Sequence, residues 1–403
     1  MFLTLLLIVT TLVTDTTATE VFVSGTYGQS THAIEGDRNG GFSVQAVSVH
    51  DIDSVHRVFG EASYHWNKSH GNRFVENADY EILSPYLTAD TVGGGLQTET
   101  YSFRGGYRMH KHHLVWYAAL QFRALQSYRA IDPRPKNKVA DLQVDAGIGY
   151  MNDAYAWMVI GQIGRYKQNN EIKFYSELGE NQIYHLVGPG TAYTRFSGSK
   201  KESYYHGFTA GGSLAMMPYQ QGWLATVDYR YMKADKELHD NTYIPIGRIC
   251  THALEATLGY VAPLWRACIQ GEMHLRRGQQ YIYGEAVNNT YTLLTKQSNY
   301  AENVWLIGAN GSYRLHLPIG YMRFQGAVSY QQSALSSLPV EVRWAALNDV
   351  LTDNRLCAGL SVRYAFPIKG RFSWFIEPVA DYRYYTKTTR QTWQVAFLTG
   401  LTF

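Results

Sequence analysis

Arg266, Arg314, Arg323, Arg363 and Arg371 each stand close to a short turn-like break, at positions that share one face if the chain runs as alternating strands. Arg108 occupies a similar place earlier in the chain. A guanidinium keeps its charge, and a row of like charges is tolerated only in water or against anions. On neighbouring strands about 4.8 Å apart, the arginines would form a cationic arc. Two outcomes fit. The arc is a basic constriction that favours anions, or Glu272, Glu377 and carboxylates of other strands neutralise it within a packed interior.

Other chemistry-bearing groups are weaker. His110, His112 and His113 could place two imidazoles on one metal, but Lys111 interrupts them and no acidic ligand is near, so no metal is expected. His206, and His274 beside Glu272 and Arg276, could serve as bases. No serine or paired carboxylate is placed beside either, so the chain is not expected to be an enzyme and needs no cofactor. Gly188-Pro189-Gly190 lacks the strand-to-helix setting of a phosphate loop and reads as a turn. Tyr175, Tyr184, Tyr193 and Phe196 fall in a long segment, 167–201, and Phe74, Tyr80 and Tyr86 in another, 67–97. Such aromatics either pack a loop over a mouth or contact a flat, partly apolar ligand such as a sugar ring.

The elements that must position these groups are strands. From Val21 onward the chain breaks into segments with dyad alternation, which puts successive side chains on opposite faces. The clearest is 139–151, where Leu142, Val144, Ala146, Ile148 and Tyr150 oppose Asp141, Gln143, Asp145, Gly147 and Gly149. The last, 389–403, sets Trp393, Val395, Phe397, Leu401 and Phe403 against Gln394, Ala396, Leu398, Gly400 and Thr402. By this pattern an aspartate should be tolerated better at Gly400, facing inward, than at Leu401, facing outward. About sixteen such segments can be counted, with about fourteen or eighteen as alternatives because 41–49 and 339–350 are ambiguous. Short connections such as Asn152-Asp153 and Ala262-Pro263 alternate with long ones at 67–97, 126–138, 167–201, 281–300 and 333–354. Aromatics crowd the segment ends. An even strand count, short turns on one side, long loops on the other and aromatic girdles together predict an all-β, transmembrane antiparallel barrel.

Composition agrees. In 403 residues no linker or composition shift marks a second domain, and proline, at 11 residues, is scarce enough for long uninterrupted strands. No run reaches the roughly 18 apolar residues of a spanning helix. A net charge of +3 is too mild to argue for nucleic acid. The apolar run Phe2–Val13, followed by Thr16-Thr17-Ala18, reads as a secretory signal peptide over residues 1–18, leaving 19–403 as one barrel domain. The first strand then starts close to the cleavage site, so no N-terminal plug is expected. Cys250, Cys268 and Cys357 are odd in number. If a hairpin turns at Ala262-Pro263, Cys268 lies opposite about residue 257 and Cys250 roughly 23 Å away, beyond disulfide reach.

The terminal strand resembles that of bacterial outer-membrane β-barrels, whose final aromatic residue is read by the assembly machinery. Leu401 and Phe403 would carry that signal, although Leu398 stands where such strands usually have glycine. Over nearly the whole chain, and most clearly in DPRPKNKVADL…GIGY from Asp132 and HLVGPGTAY from His185, the sequence resembles an uncharacterised outer-membrane barrel family of Bacteroidota, a domain of unknown function. The resemblance implies an outer-membrane location in a Gram-negative envelope and supplies no functional residues. The expected function is a passive or gated, porin-like channel for small polar or anionic solutes. The alternative is a non-transporting surface receptor or accessory subunit of an uptake system, with a barrel-wall enzyme a third possibility. The expected partners are outer-membrane lipid, the assembly machinery and an uptake-system component.

Overall fold

The computed structural model describes residues 18–32, 34–175, 183–188, 191–193, 202–240, 242–287, 290–337, 352–369 and 372–403. The strands are β1 (Ala18–Ser30), β2 (Arg38–Asp51), β3 (His56–His70), β4 (Thr88–Ala89), β5 (Gln97–Lys111), β6 (Leu114–Tyr128), β7 (Arg134–Met151), β8 (Tyr155–Lys173) and β9 (Tyr184–His185). They continue as β10 (Glu202–Pro218), β11 (Gly222–Asp240), β12 (Thr242–Val261), β13 (Trp265–Val287), β14 (Thr290–His316), β15 (Tyr321–Ser337), β16 (Arg355–Lys369), β17 (Phe372–Tyr385) and β18 (Arg390–Thr402). One short helix, α1 (Tyr80–Leu83), interrupts them. All but β4 and β9 form one closed antiparallel barrel of 16 strands, each paired with its neighbour in sequence and β18 closing on β1. The seam is complete: Val21 pairs with Leu401, and Thr19 and Phe403 exchange backbone hydrogen bonds of 2.7 and 2.9 Å.

Alternation sets which face each residue takes. The outward set of β7, Leu142 to Tyr150, lies beside Phe122, Leu120 and Trp116 of β6 and beside Ile163, Val159 and Trp157 of β8. Ile269 is 61% exposed and Ile307 69%, which would be an unfavourable surface in water and is the expected one for a wall bathed by hydrocarbon. Aromatic pairs rim this belt. Tyr150–Trp157 (6.1 Å) and Tyr260–Trp265 (5.6 Å) stand toward the short turns, and Tyr64–Tyr101 (5.0 Å) and Tyr27–Trp393 (5.6 Å) toward the long connections.

Four details depart from the sequence reading. Segments 126–138 and 281–300 are largely strand rather than loop, and β13 and β14 reach 23 and 27 residues. Cys268 lies opposite Gly259, not residue 257, and Cys250 opposite Arg277; all three cysteines are free. Gly400 does face inward, but a Cβ there would collide with Val21 O and with Phe22, so aspartate cannot be accepted. Finally, much of the segment read as loop 67–97 turns into the barrel. The apolar run 2–13 and the ambiguous segment 339–350 lie outside the described residues.

Candidate functional site

Residues 71–96, between β3 and β5, form a hatch across the lumen at the long-loop end. Its centre is fully enclosed: Tyr86, Leu87, Ala89 and Asp90 are buried. The enclosure follows from where the wall leaves space. Gly247 and Gly278 face inward on β12 and β13, and any side chain there would strike the Tyr86 ring. Glycine inside a strand often marks such a close approach. The hatch leaves through Gly93 and Gly94, both with positive φ (73° and 147°), a region that side chains rarely adopt.

Polar bonds fasten the hatch to distant parts of the wall. The Asp79 carboxylate accepts two hydrogen bonds from Arg123 of β6, at 3.0 and 2.7 Å, and a third from the Tyr166 hydroxyl of β8 at 3.0 Å. Forked pairing of this kind fixes orientation as well as distance. Arg276 of β13 donates to Ser84 O at 2.5 Å and Glu81 O at 3.1 Å, while Glu302 of β14 holds its other nitrogen at 3.0 Å. The Tyr86 hydroxyl donates to Asn299 of β14 at 2.6 Å. Lys236 of β11, fully buried, donates to Leu87 O at 2.6 Å and Leu186 O at 3.1 Å. The last bond ties in a second insertion, 183–193, whose β9 pairs with β4 above the hatch.

A buried triad closes the near side, where Arg129 meets both Glu76, at 2.5 Å, and Asp90. Burial pushes the Glu76 carboxyl well above its usual range, helped by the adjoining Asp90. Burial pushes Asp90 the same way, but the hydrogen bond from Glu76, the charge of Arg129 and the Gly93 N–H hold it below its usual value. One cation therefore faces two carboxyls whose hold on a proton is pushed in opposite directions, Glu76 up and Asp90 down.

Beneath the hatch the lumen has two unlike flanks. Along β6, β8, β10 and β11 the inward side chains near the short turns are Val115, Tyr117, Met158, Ile160, Met217 and Leu224, packed as one apolar cluster. Above them Gln162 donates to Ser213 at 2.9 Å, Ser213 bonds Asp228, and Arg104 donates to the Tyr117 hydroxyl at 2.9 Å. This flank is filled. Along β14–β18 and β1–β3 most inward side chains are polar and partly exposed: Gln45 with Glu61 (2.5 Å), Ser361 with Gln325 (3.2 Å). At the top of this flank, beside the hatch, lies a cavity of about 260 Å³ lined by Glu35, Asn39, Asn67, Asn77, Asp381 and Arg383, among others.

The arginines picked out from sequence divide between these settings. Arg314, Arg323 and Arg363 are directly opposed across β14, β15 and β16, and Arg266 stands nearby, opposite Ser312. Arg363 is neutralised by Glu20 (2.6 Å) and Glu377 (2.5 Å). Among the described residues no carboxylate lies within ion-pair reach of Arg266, Arg314 or Arg323; Arg314 stacks 5.1 Å above Tyr321. Arg108 is buried on the filled flank, opposite Arg57 and Tyr117. Arg371 lies outside the described residues.

The loop aromatics also divide. Tyr184 and Tyr193 are buried in the cluster around the hatch, Tyr175 is exposed under the Arg134 guanidinium at 4.4 Å, and Phe196 lies outside the described residues. His206 points outward, 3.6 Å from Glu237, while His274 faces the lumen 3.4 Å from Glu272. His112 takes a positive φ at its turn and His113 meets Met151 O at 2.8 Å, so the histidine run serves the turn. Leu401 faces outward and Phe403 packs on Phe372 at 5.7 Å. Asp79, Lys236 and the Glu76–Arg129–Asp90 triad escaped the sequence reading; Gly93-Gly94-Gly95 and the strand glycines 247 and 278 were the available signals.

The chain belongs to a family of unknown function, DUF6850, whose model matches residues 6–401. No curated protein matches it. Among solved structures it is similar to CdiB from Acinetobacter baumannii (8% identity over 96% of this chain and 60% of that one, TM-score 0.46) and to a Pseudomonas aeruginosa FadL homologue (10% identity, 96% and 90%, TM-score 0.45). It is also similar to BauA, the ferric preacinetobactin receptor of Acinetobacter baumannii (11% identity, 96% and 80%, TM-score 0.36).

Proposed function

We propose that this member of the family is an integral outer-membrane barrel that passes small polar solutes along its open flank, with the hatch as gate. The observation that carries this reading is the cavity at the hatch edge, lined by Asn39, Asn67, Asp381 and Arg383 of the wall and by Asn77 and Tyr80 of the hatch, where the polar inner wall meets the hatch. Arg266, Arg314 and Arg323, near the opposite mouth, favour anions over cations, as uncompensated arginines do in anion pores. The protein acts without catalysis on this reading. Its partners are outer-membrane lipid, the assembly machinery that reads Leu401 and Phe403, and an uptake-system component at the short-turn mouth.

Planar-bilayer recording tests it. The wild type should give small conductance steps, and a variant with residues 73–92 replaced by a Gly-Ser linker should give steps several-fold larger. Silence from the wild type together with a large pore in the variant would favour a non-transporting receptor or accessory subunit, a reading supported by the number of bonds fastening the hatch. Silence from both would end the channel reading.

A further inference from the structure

The barrel exterior is not uniform just beyond its apolar belt on the long-loop side. On β1, β16, β17 and β18 the outward residues there are Tyr27, Leu356, Tyr382 and Trp393. On β7 and β8 they are Lys138, Arg165 and Lys167, immediately above Ala140, Leu142 and Ile163. All three cations are exposed, and none has a carboxylate partner among the described residues. Lys136, next above Lys138 on the same face, stands opposite Glu171, which also feels the charge of Lys138.

The acids on this face are already engaged. Glu171 pairs with Lys173 at 2.8 Å, and Asp235 with Lys233 (3.3 Å) and Arg248. Glu237 lies by His206 at 3.6 Å, and Glu202 accepts from the Tyr204 hydroxyl at 2.6 Å. The excess of cations over acids is therefore local to β7 and β8. It also borders a groove of about 480 Å³, lined by Lys138, Lys167, Asn169, Tyr204, His206 and Tyr243, with Glu237 at its margin. One wall of that groove is aromatic: Tyr204 and Tyr243 meet edge to face at 5.3 Å, and His239 lies 4.8 Å from Tyr243.

We infer that this groove binds the phosphorylated sugar headgroup of a glycolipid in the leaflet on the long-loop side. Cations clustered at a membrane interface attract anionic headgroups. Lysine and arginine at this depth keep their stems along the apolar wall and their charges at headgroup level. Arg165 and Lys167 project from alternate positions of one strand, with Lys138 diagonal to Lys167 on the next, so the three can converge on a single phosphate group. The Tyr204–Tyr243 shelf supplies the flat apolar face on which a sugar ring rests. The acyl chains then lie down the outward residues of β7 and β8.

The inference rests on the membrane reading above, and two separate readouts keep them apart. Heat-modifiable gel mobility and co-fractionation with outer membranes test the barrel; their failure would remove both. With those in hand, the detergent-purified protein is titrated with diphosphorylated lipid A and with its chemically dephosphorylated counterpart, and retention is read by native mass spectrometry. The phosphorylated probe should bind the wild type at least tenfold more tightly than the dephosphorylated one. The variant Lys138→Gln/Arg165→Gln/Lys167→Gln should lose that preference while keeping its gel mobility. Equal binding of both probes, unchanged preference in the triple variant, or inorganic phosphate binding as tightly as the lipid would overturn the inference.

Discussion

The two flanks of the lumen use the same alternation for opposite ends. On β8, Met158 and Ile160 point inward into contact with Val115 and Leu224 and have no water to face. On β16 and β15, Ser361 and Gln325 point inward from equivalent places and meet each other and solvent. Backbone geometry does not distinguish them; only the side chains do. The barrel is thus a wall whose inner surface is half packed core and half polar, partly exposed lining, and the hatch is anchored across both halves.

The largest effect should separate the flanks directly. Ile160→Asp places an unpaired carboxylate in the apolar cluster and should cost about 4–5 kcal/mol, whereas Ser361→Asp should cost under about 1 kcal/mol. Urea unfolding in lipid vesicles, followed by gel mobility, reads both; similar losses would mean that the flanks do not differ. Next, Tyr86→Ala removes the side chain wedged over Gly247 and Gly278 and should cost about 3–4 kcal/mol, with faster proteolysis of residues 71–96. Tyr86→Phe loses only the bond to Asn299, about 1 kcal/mol. Equal cleavage rates in the two variants would deny the wedge its role.

Facing can be sharpened at β1, whose Val23 is outward and Thr26 inward. Val23→Asp should cost about 2–3 kcal/mol in assembly, because its charge faces hydrocarbon, and Thr26→Asp well under that. This pair replaces the comparison at Gly400, where sterics intervene.

A smaller effect follows from Glu76. Burial makes its carboxyl hold a proton more tightly in the folded state than when exposed, so its contribution is whole at acid pH. The contribution falls as pH rises from the ordinary carboxylate range toward the raised value. Asp90, held low, contributes above its ordinary value and loses that only in strong acid. Hydrogen exchange of the hatch amides should therefore quicken as pH rises above the ordinary carboxylate range, after correction for intrinsic rates, and Glu76→Gln should flatten the profile. A flat wild-type profile would show that Glu76 ionises normally. Smallest is the selectivity change: Arg314→Gln/Arg323→Gln should lower the anion-to-cation permeability ratio a few-fold in a KCl gradient. Arg363→Gln should lower it further per charge removed, because it frees Glu20 and Glu377.

The barrel was legible because hydrocarbon outside imposes a strict period on every outward residue, as Leu142 to Tyr150 illustrate. Beyond the belt the period relaxes: in the outer reaches of β13 and β14, Tyr283, Tyr291 and Tyr300 turn to the hatch cluster while Leu293 and Leu294 stay exposed, and the stretch reads as loop. The hatch was hidden for another reason. Its side chains obey no period, since each answers to a different strand: Asp79 to Arg123, Tyr86 to Asn299, Thr88 to Ser203 at 2.9 Å. The arginine arc was visible as a pattern, but its neutralisation at Arg363 depended on Glu20, which reaches it only when the first and last strands meet.

The hatch has a consequence in time. It lies between β3 and β5 in the chain, yet its fastenings are spread far along it. Asp79 and Arg123 are 44 residues apart, Ser84 and Arg276 192, Tyr86 and Asn299 213. Contacts so distant along the chain cannot form until the intervening strands are in place. Until β6, β8, β11, β13 and β14 stand in place, the segment has nothing to seat against, and Tyr86 and Leu87 stay uncovered. Its docking is one of the last events of assembly, and a barrel in which β6, β13 and β14 had not yet come together would be an open one.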